Sequence, residues 1–211
     1  MLRRLRIGLK NGIYSLTTWV FFALTKALFR LRVVGRENVK RGGSYIAVAR
    51  HRSYWDIPLM VAALGARNRI HFIARRGLMR GNPIARIAIR GYSTIIDRER
   101  FSKIDFRKVL EACKRERLVG LFPEGTTKRD VDAKAGAVRF ASLANKLLLP
   151  VNIKPRGPYP PEYPFRYPRV IVSIGTAFSV GDLQAEIGDA KTRSDQHRMM
   201  SMRLMERVDT A

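Results

Sequence analysis

The chain has one cysteine, Cys113, in 211 residues. That excludes an intrachain disulfide framework and a zinc site built from thiolates, and it fits a reducing compartment. Acidic residues are also scarce: 17 Asp and Glu stand against 41 Lys and Arg, a formal net charge of +24. A surface this basic calls for an anionic partner such as nucleic acid, an acidic membrane, an acidic carrier protein or a phosphorylated substrate. Apolar runs are short. A mean hydropathy of −0.17 rules out a bundle of membrane spans. The sequence contains no G-x-S-x-G elbow, no P-loop, no G-x-G-x-x-G and no His/Cys/Asp cluster at metal-binding spacing. Covalent serine chemistry, nucleotide hydrolysis and metal hydrolysis therefore lack a sequence basis. Helix-turn-helix, zinc-finger and RNP signatures are missing as well.

The charge that is present is uneven. The first 117 residues hold 27 Lys and Arg against 7 Asp and Glu, most of the excess. They open with Arg3, Arg4, Arg6 and Lys10, followed by the apolar stretch Gly12–Phe29 and then Arg30, Arg32 and Arg36. No small-residue cleavage site follows the stretch, which disfavours a signal peptide. Ser15, Thr17, Thr18, Thr25 and Lys26 interrupt it, and its 18 residues fall short of the roughly 20 a spanning helix needs. Ile13, Leu16, Val20, Leu24 and Ala27 recur at helical spacing, with Asn11, Ser15, Thr18, Thr25 and Lys26 mostly on the other side. This predicts an amphipathic, membrane-associating helix over residues 1–30, with Trp19 and Tyr14 at headgroup level and cations meeting anionic lipid. The competing reading is a helix packed on the domain core.

From residue 31 to 211 the sequence reads as one α/β domain. Strand-like runs at Leu31–Val34, Tyr45–Ala49, Ile70–Ala74, Thr94–Ile96, Leu118–Phe122, Leu148–Ile153 and Val170–Ile174 alternate with helical patterns. The helical patterns lie at Ser53–Leu64, Pro83–Arg90, Lys103–Arg117, Gly136–Asn145 and Asp189–Val208. That alternation predicts a twisted, largely parallel sheet flanked by helices. Residues 155–168 hold six prolines and read as an irregular excursion at the rim of a site.

Ligands of open α/β sheets sit at the carboxyl ends of strands, and three residue clusters follow strands here. The first is His51-Arg52-Ser53-Tyr54-Trp55-Asp56, with Ser53 a candidate helix N-cap. A histidine in the turn before a helix can fold over its first turn and let a carboxylate five residues on hold one imidazole nitrogen. The other nitrogen is then free to accept a proton. His71 and His197 lie in a strand-like run and a mixed-charge helix and read as structural or solvated. The second cluster ends a short strand with Ile96-Asp97-Arg98, a guanidinium suited to phosphate. The third, Phe122-Pro123-Glu124-Gly125-Thr126-Thr127-Lys128-Arg129, closes a fully apolar strand with an acid, a glycine, two hydroxyls and two cations. Glu124 can accept from a polyol, the threonines can donate to an anionic oxygen, and Gly125 permits close backbone approach.

Taken together and in this order, these clusters resemble the 1-acyl-sn-glycerol-3-phosphate (lysophosphatidic acid) acyltransferase family of glycerolipid acyltransferases, over roughly residues 30–175. His51-x4-Asp56 matches the first motif. Gly91 with Ile96-Asp97-Arg98 matches the second, Phe122-Pro123-Glu124-Gly125-Thr126 the third and Pro150-Val151 the fourth. Two positions depart from the family pattern: Arg50 stands where asparagine is usual, and Thr127 where arginine is usual, with Lys128 and Arg129 next.

The resemblance implies transfer of a fatty acyl group from a thioester, on coenzyme A or acyl carrier protein, to the sn-2 hydroxyl of 1-acylglycerol 3-phosphate. His51 would be general base and Asp56 its orienting partner. Arg98, Glu124, Gly125 and Thr126 would hold the glycerol-phosphate end, with Lys128 or Arg129 adding charge. It implies no cofactor and no metal. The partners would be anionic membrane lipids, a lysophospholipid acceptor and, where it carries the donor, acyl carrier protein, with no nucleic acid, at the cytoplasmic face of the membrane. Two alternatives stand beside it: the same chemistry on glycerol 3-phosphate or a lyso-aminolipid, and a non-enzymatic basic module for membrane or nucleic acid.

Overall fold

The computed structural model describes residues 2–80, 83–125, 134–162, 166–188 and 192–211. Seven strands form one mixed sheet: β1 (Arg32–Val34), β2 (Tyr45–Val48), β3 (Ile70–Arg75), β4 (Ser93–Ile96), β5 (Leu118–Leu121), β6 (Leu147–Arg156) and β7 (Arg169–Ile174). Their spatial order is β1-β7-β6-β2-β5-β3-β4. The five strands from β6 to β4 run parallel, and β7 is antiparallel to β6 with β1 parallel to β7. All seven strands coincide with strand-like runs in the sequence. Parallel strands covered on both faces lack the inside-outside alternation of a half-exposed sheet, and all four residues of β2 are buried.

The helices are α1 (Leu2–Phe29), α2 (Asp56–Leu64), α3 (Pro83–Tyr92), α4 (Lys103–Arg115), α5 (Gly136–Ala144), α6 (Val180–Ile187) and α7 (Arg193–Thr210). The sequence pattern predicts a single helix from Asp189 to Val208 and does not include α6; a capping box of Ser179 and Asp182 opens it. One core layer joins Tyr14, Phe29 and the buried face of α2 to Tyr45, Ala47 and Phe72. The other joins Ile46, Val48 and Val119 to α4, α5 and α7 through Val109, Val138 and Leu204. Cys113 is fully buried in this second layer, where desolvation pushes its thiol up to about 11. It is a packing residue rather than a nucleophile.

Helix α1 packs one stripe on the domain and leaves another exposed. Its buried stripe is Tyr14, Thr18, Thr25 and Phe29, and it packs along α2. The Thr18 and Thr25 hydroxyls donate to the carbonyls of Tyr14 and Phe21, at 2.8 and 2.6 Å, so burial leaves neither unsatisfied. Tyr14 accepts from the Ile70 N–H at 3.1 Å, near the amino end of β3. At the other end of the helix Phe29 packs edge-on against Trp55 at 5.0 Å, beside the first turn of α2. The stripe left outside is apolar: Leu9, Ile13, Leu16, Trp19, Val20 and Leu24 are all exposed. Residues Asn11–Phe29 are long and apolar enough to cross a membrane by length and composition.

Gly120, in β5, makes room for the aromatic stack that reaches the site. A Cβ there would lie 2.6 Å from the Phe72 ring and 2.8 Å from Ile70 Cδ1. Both neighbours are packed in the core, so Gly120→Ala is expected to lower stability by about 1–3 kcal/mol through overpacking. A shift in the chemical denaturation midpoint at constant slope measures it.

Candidate active site

His51 lies in the connection between β2 and α2, at the carboxyl end of a central strand. The sequence pattern predicts Ser53 as the cap of α2. The regular helix begins later, at Asp56 behind Trp55, while the Ser53 hydroxyl accepts from the Trp55 N–H at 3.2 Å in the turn before it. The Asp56 carboxylate folds back over the turn that precedes it. Its Oδ2 accepts from the N–H groups of Arg52 at 2.7 Å and Ser53 at 2.8 Å, and stands 3.0 Å from His51 Nδ1. The two backbone donors fix the carboxylate, and the carboxylate fixes the imidazole. With Nδ1 protonated toward Asp56, Nε2 is left as the basic nitrogen. No described residue hydrogen-bonds Nε2, and the His51 side chain is 15% exposed while Asp56 is 1% exposed. The ring is held flat by Phe122, stacked at 4.3 Å and 21°, which itself lies parallel to Phe72 at 6.1 Å.

The third cluster meets the first. The turn Phe122-Pro123-Glu124-Gly125 closes with the Gly125 N–H on the Phe122 carbonyl at 2.9 Å. Proline at the second position presets the backbone for such a turn. The turn points Glu124 inward, where it is buried. Its Oε2 accepts from the His51 N–H at 3.0 Å and its Oε1 from Arg50 Nη1. Both oxygens are therefore committed to holding the His51 segment, and the polyol contact expected of Glu124 competes with these bonds. Arg50, the first departure from the family pattern, also makes a two-pronged pair with Asp209 near the end of α7, at 2.7 Å on each side. These bonds push the guanidinium pKa up.

The second cluster completes the group. Arg98 Nη2 donates to the Glu124 carbonyl at 3.2 Å. The guanidinium lies directly over Gly125: a Cβ there would be 2.7 Å from Arg98 Cζ, and Gly125 has φ +62°. Only glycine combines that backbone conformation with so close an approach. His51, Asp56, Arg98, Glu124 and Gly125 thus converge at the carboxyl ends of β2, β4 and β5. Thr126, Thr127, Lys128 and Arg129 lie outside the described residues. Pro150 and Val151 sit within β6, Val151 fully buried.

Two residues at the site have no role predictable from the sequence pattern. Asp209 carries no signal at all. Tyr159 lies in the proline-rich segment expected to form a rim, and its hydroxyl donates to Asp56 Oδ1.

Known proteins share this chain's sequence pattern and fold. Residues 30–154 match the family model described as Acyltransferase. A 1-acyl-sn-glycerol-3-phosphate acyltransferase of Bacillus subtilis (strain 168) is 28% identical over 122 residues, which are 57% of this chain and 60% of the relative. The chain thus matches about three fifths of that relative's length. The crystal structure of the 1-acyl-sn-glycerophosphate (LPA) acyltransferase PlsC from Thermotoga maritima superposes with a TM-score of 0.68 at 19% identity. The match covers 97% of this chain and 80% of that one, a likeness of fold. With the family model matching more than half of its length, and with the dyad and the Phe-Pro-Glu-Gly turn assembled at one end of the sheet, the chain belongs to the Acyltransferase family.

Proposed function

We propose that the protein transfers a fatty acyl group from an acyl thioester to the sn-2 hydroxyl of 1-acylglycerol 3-phosphate, yielding phosphatidic acid. The observation that carries this reading is the pairing of His51 Nδ1 with the buried Asp56, with Arg98 lying on the turn whose carboxylate grips the His51 backbone. His51 Nε2 takes the proton of the acceptor hydroxyl as its oxygen attacks the thioester carbonyl. The C–S bond breaks, and the departing thiolate takes that proton from the imidazolium. A thioester is already activated, so one positioned base suffices without a covalent enzyme intermediate. Arg98 receives the acceptor phosphate, and the name of the Bacillus relative supports that acceptor. The donor is coenzyme A or acyl carrier protein, both of which suit a basic surface.

The exposed apolar stripe of helix α1 supports a membrane setting for this chemistry. Its apolar stripe faces away from the protein, and its last turn reaches the site through Phe29 and Trp55. The protein lies on the cytoplasmic face with this stripe in the interface, so a lysophospholipid reaches the dyad without leaving the lipid phase.

The test is acyl transfer in detergent, with both donors run in parallel against lysophosphatidic acid, glycerol 3-phosphate and a lyso-aminolipid. Lysophosphatidic acid is expected to give the highest kcat/KM. A stronger response to another acceptor reassigns the substrate, and no transfer from either donor overturns the reading. Arg98→Ala is expected to raise the KM for lysophosphatidic acid about 10- to 100-fold, the size of a charge-assisted hydrogen bond. Arg98→Lys restores only part of this, because a point charge cannot reproduce the planar fork.

A further inference from the structure

The structure assigns Tyr159, in the connection between β6 and β7, as a positioning residue that sets the orientation and basicity of the Asp56 carboxylate behind the catalytic histidine. The inference rests on the acyl-transfer reading for its kinetic consequence and on geometry for the rest. Tyr159 is 103 residues from Asp56 in sequence, yet its buried hydroxyl donates to Asp56 Oδ1. The other oxygen, Oδ2, is already shared by His51 Nδ1 and the N–H groups of Arg52 and Ser53. A carboxylate anchored on one oxygen alone can rotate about its Cβ–Cγ bond. The Tyr159 bond on the second oxygen removes that freedom.

The same bond has an electronic consequence. A donor on Oδ1 draws negative charge away from Oδ2, so Asp56 pulls less on the His51 Nδ1 proton and stabilises the imidazolium less. Burial, followed by the neighbouring Asp56 charge, raises the Tyr159 pKa, so the hydroxyl remains a donor throughout the working range. Among the described residues, the charged groups around His51 include Arg50 and Arg52 beside it in the chain, Glu124 on its backbone N–H, Asp209 through Arg50, and Arg98 at the Glu124–Gly125 turn; Tyr54 lies edge-on to the ring. Replacing Tyr159 by phenylalanine removes the hydroxyl's bond to Asp56 and leaves these charged groups in place.

The signs follow. In Tyr159→Phe the imidazolium is better stabilised, so the His51 pKa rises and the acidic limb of the kcat/KM profile moves to higher pH, by about 0.3 to 1 unit. At neutral pH kcat falls by about 5- to 20-fold, with acceptor KM changed less than about twofold, because the bond removed is to the buried Asp56 carboxylate. A merely structural tyrosine would lower activity without moving the limb.

The experiment titrates His51 by NMR in protein labelled at histidine, with His51→Ala identifying its signal among three histidines, and records the pH profile of acyl transfer alongside. An upward shift of the His51 pKa in Tyr159→Phe, with the limb following, supports the inference. An unchanged pKa in a folded variant overturns it. If Tyr159→Phe does not fold, 3-fluorotyrosine at position 159 makes the hydroxyl a stronger donor and must move the His51 pKa down; an unmoved pKa there overturns the inference equally. The NMR titration needs no turnover, so it stands apart from the acyl-transfer reading, which falls if the unsubstituted protein transfers no acyl group.

Discussion

His51→Ala is expected to lower kcat for acyl transfer by about 10²- to 10⁴-fold, the range that a positioned general base contributes. Its imidazole stacks on Phe122 and, among the described residues, its side chain bonds only Asp56, so truncation leaves the backbone anchors of the turn intact and the protein folded. The informative companion is Asp56→Asn. Asparagine can turn its carbonyl oxygen to the three donors now on Oδ2 and its amide toward Tyr159, which preserves the geometry and the histidine tautomer. Only the charge that stabilises the imidazolium is lost. This variant is therefore expected to fold normally, lose at least about tenfold in kcat, and show its acidic limb at lower pH, since a neutral partner lets the imidazolium deprotonate sooner. Asp56→Ala differs in kind: it strips the N–H groups of Arg52 and Ser53 and the Tyr159 hydroxyl of a buried acceptor, at about 1–3 kcal/mol for each group left unpaired. Circular dichroism and thermal melts beside single-turnover rates separate the chemical loss from the structural one. Full activity in His51→Ala would remove the base from the mechanism.

The second large effect concerns the membrane. Leu9, Leu16 and Trp19 are each about two thirds exposed, at 67%, 67% and 66%. Replacing all three with glutamine is expected to cut partitioning onto anionic vesicles by at least about 100-fold, taking roughly 1 kcal/mol of interfacial burial per side chain as a low figure. The fold is expected to survive, because the opposite stripe of Tyr14, Thr18, Thr25 and Phe29 carries the packing on α2. Co-sedimentation across a salt series distinguishes the contributions. The unsubstituted protein should be stripped only partly by high salt, since screening weakens the basic surface and leaves the inserted stripe. The triple variant should release fully at modest salt. Complete release of the unsubstituted protein at modest salt would mean that charge alone holds it.

Much of this molecule is legible in its sequence. The strands announce themselves because a parallel sheet buried on both faces demands uninterrupted apolar runs, and Leu118-Val119-Gly120-Leu121 is such a run. The His51–Asp56 pairing is legible because it is local: five residues around a helix start leave few ways for the carboxylate and the ring to meet. The cap of α2 misleads for a related reason. Ser53 has the chemistry of an N-cap, and its hydroxyl does accept from the Trp55 N–H at 3.2 Å, but the regular helix begins only at Asp56. The N-terminal helix shows the limit of periodicity. An apolar stripe and a polar stripe can be read from spacing, but not which of them faces the protein. Here the threonine stripe packs inward because each buried hydroxyl finds a carbonyl in its own helix.

By itself, then, the sequence determined the order of the strands and of the helices other than α6, the basic bias of the first 117 residues, and the short-range unit of His51 and Asp56, all properties of neighbours along the chain. What only the tertiary structure decided was the company that unit keeps. Arg50 reaches Asp209 across 159 positions and Glu124 across 74, and Tyr159 reaches Asp56 across 103. Such contacts depend on strand order, because β6 lies beside β2 and brings with it both the loop carrying Tyr159 and, through Asn152 and the carbonyl of Asp209, the end of α7. No local pattern encodes that adjacency: the burial that forces a carboxylate to find several donors arises only when distant segments close over it.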